Sequence, residues 1–313
     1  MLSYIARRLA AGVVLLVAIT TVAFLLLYAG GGNIARRIVG QSATEEVVAR
    51  KAAELGLDKP LWEQYWNWLT GAVHGDFGRS WFSGETVVAG LTSRLAVTLA
   101  LVCLTTLIAA LLAVVLGVLA ATRRGWIDKV VQFGSVLGFA IPGFLIALAL
   151  VVVFSINLGW FRATGFIRPS DSVSGWLKSI TLPVIALAVG SIASVAQQVR
   201  GAVLDALSRD YVRTLRSRGV PSRRVVYKHV LRNAGGPALA VLGVNFIGML
   251  GGTVIVERMF LLPGLGQLAV NATTQADIPY VMGLVLATAV IVVVVNLVID
   301  LAQAALNPRV RLS

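Results

Sequence analysis

The side chains that ordinarily carry chemistry are few in this chain and poorly spaced for it. His74 and His229 are its only histidines and lie far apart, and Cys103 is its single cysteine, set in the apolar run Leu101 to Leu104. These residues supply neither a multi-histidine metal site nor a disulfide framework. No G-x-x-x-x-G-K-[ST] loop is present to cradle phosphates, so the chain is expected not to hydrolyse ATP. No nucleophile–base pair or metal-binding helix appears either. The expectation is no catalytic residue, no metal and no cofactor held by this chain. Glu257 and Asp300 lie near the ends of apolar runs, whereas ion-driven transporters place acids or broken helices at mid-depth.

The groups that do cluster are basic. From Leu204 to Gly236, Leu204, Leu207, Tyr211 and Leu215 recur at helical spacing, with Arg209, Arg213 and Arg216 on other faces. Gly219-Val220-Pro221-Ser222 then breaks the helix, glycine suiting a C-terminal cap and proline the first turn that follows. A second short helix is expected, with Val226 and Val230 in line and Arg223, Arg224 and Lys228 exposed. Asn233-Ala234-Gly235-Gly236-Pro237 is expected to end it. A helix, a break and a helix make a lever with an exposed tip.

Such a lever needs a scaffold, and composition says which. The chain has 313 residues, is 58% hydrophobic and only 13% charged, well below the quarter charged of soluble domains. Six apolar stretches are long enough to cross a bilayer, which takes roughly 20 residues each. They lie near Leu9–Tyr28, Leu95–Ala121, Val130–Leu158, Ile180–Val203, Pro237–Val256 and Tyr280–Ala304. Arg7 and Arg8 before the first favour a cytoplasmic N-terminus, and six crossings return the C-terminus to the same side. On that topology 16 of the 27 basic residues but only four of the 14 acidic ones are cytoplasmic. The net charge of +13 therefore reads as positive-inside orientation and not as a nucleic-acid surface. The first stretch is long for a signal peptide and lacks a clear cleavage site, so it is expected to stay as a span.

Between the first two spans lies an external segment with its own helices. Thr44-Glu45-Glu46 resembles a capped, acidic helix start, and that helix is expected to end at Leu55–Gly56. Pro60 opens a second, on which Leu61, Trp62, Tyr65, Trp66 and Leu69 share one face suited to the headgroup layer or to docking a partner. Gly134-x-x-x-Gly138 and Gly248-x-x-x-Gly252 permit close helix approach, and bends are expected at Pro142, Pro183 and Pro237.

At the basic loop the sequence resembles the binding-protein-dependent permeases of ABC importers, and more narrowly the dipeptide, oligopeptide and nickel branch. Asp210-Tyr211-Val212-Arg213-Thr214-Leu215-Arg216-Ser217-Arg218-Gly219 is similar to that branch's cytoplasmic signature, and His229-Val230-Leu231-Arg232-Asn233-Ala234 to its continuation. The resemblance extends to Gly56-Leu57-Asp58-Lys59-Pro60-Leu61, Gly75-Asp76-Phe77-Gly78-Arg79-Ser80, Pro263-Gly264-Leu265-Gly266 and Asn307-Pro308-Arg309-Val310-Arg311. Departures fall at Ala29-Gly30-Gly31-Gly32-Asn33, at Leu215–Gly219 and at Asn307, and they bear on the substrate.

The resemblance implies an all-α integral membrane protein: a six-helix, type I ABC importer permease bundle in the cell inner membrane, both termini cytoplasmic. Its parts would be residues 1–93 (first span and external segment), 94–304 (permease core with coupling loop 204–236) and 305–313 (cytoplasmic tail). The helix near Pro221–Lys228 would be the coupling helix, with Tyr211, Arg213, Arg216, Gly219, Pro221, Ser222, Arg223, Val226, His229 and Asn233 serving ATPase coupling. Binding-protein or gate contacts would fall on Gly75, Asp76, Phe77, Gly78, Pro263, Gly264 and Gly266, within the Gly75–Trp81 and Phe260–Gln267 segments. The implied partners are a second homologous permease, one or two ABC ATPases holding ATP and magnesium, an extracytoplasmic binding protein and the lipid bilayer. Nucleic acid is not among them. The expected cargo is di- or oligopeptides, with nickel or a metal chelate as the alternative. A secondary transporter would need buried acids and internal repeats, and a static scaffold would leave the lever without a purpose.

Overall fold

The computed structural model describes residues 2–29, 34–123 and 125–306. The Gly30–Asn33 cluster and the Asn307–Arg311 motif lie outside them. Thirteen α-helices and two π-helical stretches occupy most of the described residues, and Arg79 and Thr86 form one isolated antiparallel bridge. Five helices are long and apolar enough to cross a membrane unbroken, and a bent pair makes a sixth candidate if its two arms count as one span. The chain packs as two compact units that do not follow its order.

The first unit, Leu2–Ala96 with Gly264–Val293, contains α1 (Leu2–Ala29), α2 (Ile34–Val39), α3 (Glu45–Glu54) and α4 (Leu61–Val73). It also holds the start of α5 (Val87–Arg123), all of α12 (Leu265–Gln275) and the start of α13 (Ile278–Leu306). α3 begins at Glu45 as expected, although the Thr44 side chain makes no cap hydrogen bond. It ends at Gly56, whose φ of +68° is the left-handed geometry that glycine adopts without strain.

The expected aromatic face of α4 is split. Leu61, Trp62 and Trp66 are exposed, but Tyr65 turns inward with Trp68. A buried phenol needs a partner, and Tyr65 Oη finds Thr21 Oγ1 at 2.8 Å and Thr20 Oγ1 at 3.2 Å. Its ring packs on Phe24, with centroids 5.2 Å apart.

The segment after α4 folds back as a hairpin clasped by a buried acid. Ser80 Oγ donates to Asp277 Oδ2 at 2.5 Å and the Trp81 amide to Oδ1 at 3.3 Å, while Tyr280 Oη donates to Glu85 at 2.8 Å. Ser80 Oγ also accepts from the amides of Phe82 and Ser83. Asp277 is 1% exposed, so its charge is satisfied by protein donors. Asp277→Asn should speed hydrogen exchange at the Trp81 and Val87 amides about tenfold, equivalent to roughly 1.5 kcal/mol for a charge-assisted bond. Unchanged exchange would mean that something else holds the hairpin.

The second unit, Val97–Pro263 and the chain from Val294 onward, centres on α8 (Val173–Ser208), the most buried span. Packed on it are α6 (Trp126–Ala140), α7 (Gly143–Leu150) and α11 (Leu231–Met259). The expected third span, Val130–Leu158, is not one rod: α6 and the Gly143–Asn157 helix meet at 97°. Pro142 removes a backbone donor and disfavours helical geometry at Ile141, which is extended at φ −89°, ψ 118°. Beyond α7 the backbone winds as a π-helix over Val151–Asn157. Pro183 and Pro237 do not break their helices, because membrane helices can re-satisfy the freed carbonyls locally.

The small-residue seams differ from expectation. A Cβ at Gly138 would stand 2.9 Å from the Ala193 Cβ, and one at Gly117 would stand 2.8 Å from the Ala196 carbonyl oxygen. Gly134, Gly248 and Gly252 have nothing within 4 Å. The close approaches to α8 are thus made by Gly138 of α6 and Gly117 of α5.

Candidate functional site

The basic elbow is built outward from the apolar end of α8. Val199, Val203 and Ala206 are buried there in a cluster with Val118 and Ala121 of α5. Arg209 is extended at φ −69°, ψ 146°, which turns the chain into α9 (Asp210–Ser217). Val212 of α9 is 1% exposed, whereas Arg213 and Arg216 point to solvent. Asp210 occupies the first turn of α9, where a carboxylate offsets the helix dipole.

The break is a Schellman cap. The Val220 amide reaches the Leu215 carbonyl at 3.1 Å and the Gly219 amide reaches Arg216 at 3.0 Å, with Gly219 at φ +74°. Pro221 and Ser222 are exposed, and Ser222 opens α10 (Ser222–Arg224), which runs on as a π-helix over Val225–Val230.

That winding corrects the expected face. In a π-helix the fifth residue on returns to the same side. Val225 and Val230 are therefore both fully buried, and Val226 is only half-buried. The same register exposes Tyr227 to 66% among Arg223, Arg224 and Lys228. Tyr227 was missed by the period-3.6 reading, and its signal was an aromatic ring inside an otherwise basic tip.

The expected return at Asn233–Pro237 does not end the helix, which continues as α11. Asn233 is a brace instead: its Nδ2 donates to Tyr211 Oη and to the His229 carbonyl, both at 3.1 Å. It thus ties α9 to the start of α11. His229 is half-buried. A second tie is the two-pronged pair of Arg200 with Asp128, at 2.5 and 2.8 Å, which fixes α6 to α8. Beside the elbow opens a cleft of about 790 Å³ lined by Gln198, Asp205, Arg209, Tyr211 and Asn233.

The other expected contact residues sit differently. Gly75, Asp76 and Gly78 are exposed, and Asp76 Oδ1 accepts from the Gly78 amide at 2.9 Å. Phe77 is half-buried against the cluster of Val87, Leu91, Leu265 and Leu268, which brings it together with the helix that Gly264 and Gly266 begin. Both of those glycines are buried, while Pro263 is exposed. Leu261, two residues before Pro263, is 57% exposed in the left-handed region at φ +51°, a conformation that disfavours any L-residue.

Residues 113–312 match the family model described as Binding-protein-dependent transport system inner membrane component, and residues 1–102 match its N-terminal companion. The chain is 36% identical over 309 residues to a probable peptide ABC transporter permease protein of Sinorhizobium fredii, covering 98% of this chain and 99% of that one. It is 35% identical over 312 residues to a glutathione transport system permease protein of Escherichia coli, covering 99% of each. The inward-facing MetNI methionine ABC transporter superposes with a TM-score of 0.53 at 16% identity, over 69% of this chain and 96% of that one. That likeness is one of fold.

Proposed function

Because this chain belongs to the family of binding-protein-dependent transport system inner membrane components, and is thus the permease of an ABC importer in the inner membrane, we propose that it admits peptides under force applied at its basic elbow. The elbow carries the reading. Val212, Val225 and Val230 root it in the core, while Tyr227 and the surrounding cations stay exposed for a partner. A permease that does not itself catalyse hydrolysis needs a ligand whose affinity differs between its two states. ATP bound with magnesium between two partner ATPases supplies that difference, and the elbow transmits it to α8 and α11.

Peptide cargo is supported by the relatives named for peptides and glutathione. A second, homologous permease completes the path. The outward face of α11 suits it: Val244 is 71% and Ile255 54% exposed, and Gly248, Gly251 and Gly252 between them have open space. The elbow lies on the cytoplasmic side, and segment 34–86 with the 260–277 region faces the extracytoplasmic binding protein.

Reconstitution tests this reading. Vesicles holding the two permeases and their ATPases should take up labelled dipeptide only with ATP on the elbow side and binding protein on the other. Exchanging the binding protein should change selectivity. Uphill uptake by this chain alone, or labelling of a cysteine at Arg223 from the extracytoplasmic face, would sink the proposal.

A further inference from the structure

The turns of α8 that root the elbow have two unlike faces. Val199, Val203 and Ala206 are buried in the apolar cluster described above. Ser194, Gln198, Gly201 and Asp205 follow at steps of four, three and four, which keeps them on one side of the helix. None of these four is buried. Their row ends at Arg209, the extended residue that closes α8. At 1.5 Å of rise per residue the row runs about 20 Å from Ser194 to Arg209.

The helix packed on α8 continues the row. Asn245 of α11 donates from Nδ2 to Ser194 Oγ at 3.2 Å. Nearer the elbow, Asn233 and Pro237 of α11 line the cleft of about 790 Å³ together with Gln198, Asp205 and Arg209. Polar side chains within a membrane span face a bundle interior or a water-filled cavity and not lipid. Asn245 follows Val244 and lies one turn from Gly248, both exposed on the face offered to the second permease. The row therefore borders the gap between the two permeases.

The charges on the row narrow what it could hold. Asp205 and Arg209 are exposed, and neither side chain makes an ion pair or hydrogen bond among the described residues. The carboxamide of Gln198 is likewise unengaged among them. One carboxylate and one guanidinium, a helical turn apart, complement an ammonium and a carboxylate on one small molecule. Short peptides with both ends free share those two groups whatever their side chains. The cleft volume falls in the range of small-molecule sites.

We propose that this row is a peptide-binding wall of the path, with the cargo's ammonium at Asp205 and its carboxylate at Arg209. Gln198 and the Ser194–Asn245 pair offer hydrogen bonds to peptide amides deeper in the span. The inference rests on the peptide reading above and supplies its contact residues. Such a wall reads peptide ends and leaves side-chain selectivity to the binding protein. It also adjoins the lever, because Tyr211 and Asn233, which hold each other at 3.1 Å, line the same cleft.

Alkylation of a cysteine at Gly201 reads occupancy. A Cβ there meets nothing within 4 Å, so Gly201→Cys has room, and Cys103→Ala removes the natural thiol. In the assembled importer without nucleotide, dialanine should slow modification by a water-soluble maleimide. The dialanine concentration for half protection should rise about tenfold in Asp205→Asn and in Arg209→Gln, the worth of one charge-assisted contact. N-acetyl-dialanine should protect the parent and Asp205→Asn alike, and dialanine amide the parent and Arg209→Gln alike. Absence of protection, protection indifferent to the peptide's ends, or parent-like protection in both variants would each overturn the proposal. Uptake of labelled dialanine by the same importer separates the two readings. Uptake without protection would sink this site and leave the peptide reading standing, whereas end-dependent protection without uptake would do the reverse.

Discussion

Tyr227→Ala should weaken association of this permease with its ATPase about thirtyfold and stop ATP-driven uptake at ordinary subunit concentrations. Truncating a central aromatic anchor of an interface costs about 2 kcal/mol or more, which sets that factor. Tyr227 is the one large apolar group presented by the elbow, at 66% exposure, and it is surrounded by Arg223, Arg224 and Lys228. Those cations should steer the encounter and be screened by salt, so removing one should alter the association rate more than the lifetime. Tyr227 should act on the lifetime.

Two comparisons separate docking from folding. Tyr227→Phe keeps the ring and should lie within about threefold of the parent, the worth of one exposed hydrogen bond. Val225→Ala removes buried volume under the tip and should lower thermal stability instead. The measurement is the dissociation rate of the ATPase from the solubilised permease. Parent-like dissociation of Tyr227→Ala would place the ATPase contact elsewhere on the chain.

Sequence was a good guide where one local cause decides the outcome. Five spans stand within a few turns of their apolar runs because a helix satisfies every backbone group of such a run within the run itself, as lipid requires. Gly56 and Gly219 end helices because the left-handed cap is inexpensive only for glycine, and Pro142 marks the bend because it removes a donor. Sequence failed where the cause is a partner distant in the chain or a change of period. Nothing near Ser80 announces Asp277, which lies 197 residues on. Tyr65 leaves its expected face for two threonines of α1. A helical wheel aligns Val226 with Val230, but the π-winding substitutes Val225 and so exposes Tyr227. Glycine pairs were weak guides, because spacing does not say which face meets a neighbour. Gly117 and Gly138 do so, whereas Gly134, Gly248 and Gly252 do not.

The cap at Gly219 offers a test in which backbone geometry is the only variable. Its φ is +74° and a Cβ there would meet nothing within 4 Å, so a side chain has room and only the dihedral resists it. Left-handed geometry costs an L-residue about 1–2 kcal/mol, and a β-branched residue is a true outlier there. Asparagine visits that region readily. Uptake per ATP hydrolysed should therefore fall in the order Gly219, Gly219→Asn, Gly219→Ala, Gly219→Val, with valine about tenfold or more below the parent. ATPase association should change far less, because Tyr227 keeps its place on a helix rooted by Val225 and Val230. Hydrolysis would then continue while the lever transmits poorly, since α9 could no longer hold its angle to the tip. If valine coupled as well as glycine, the turn would not be the joint through which force passes. If asparagine were as damaging as valine, the cause would be the presence of a side chain at the ATPase surface and not the backbone.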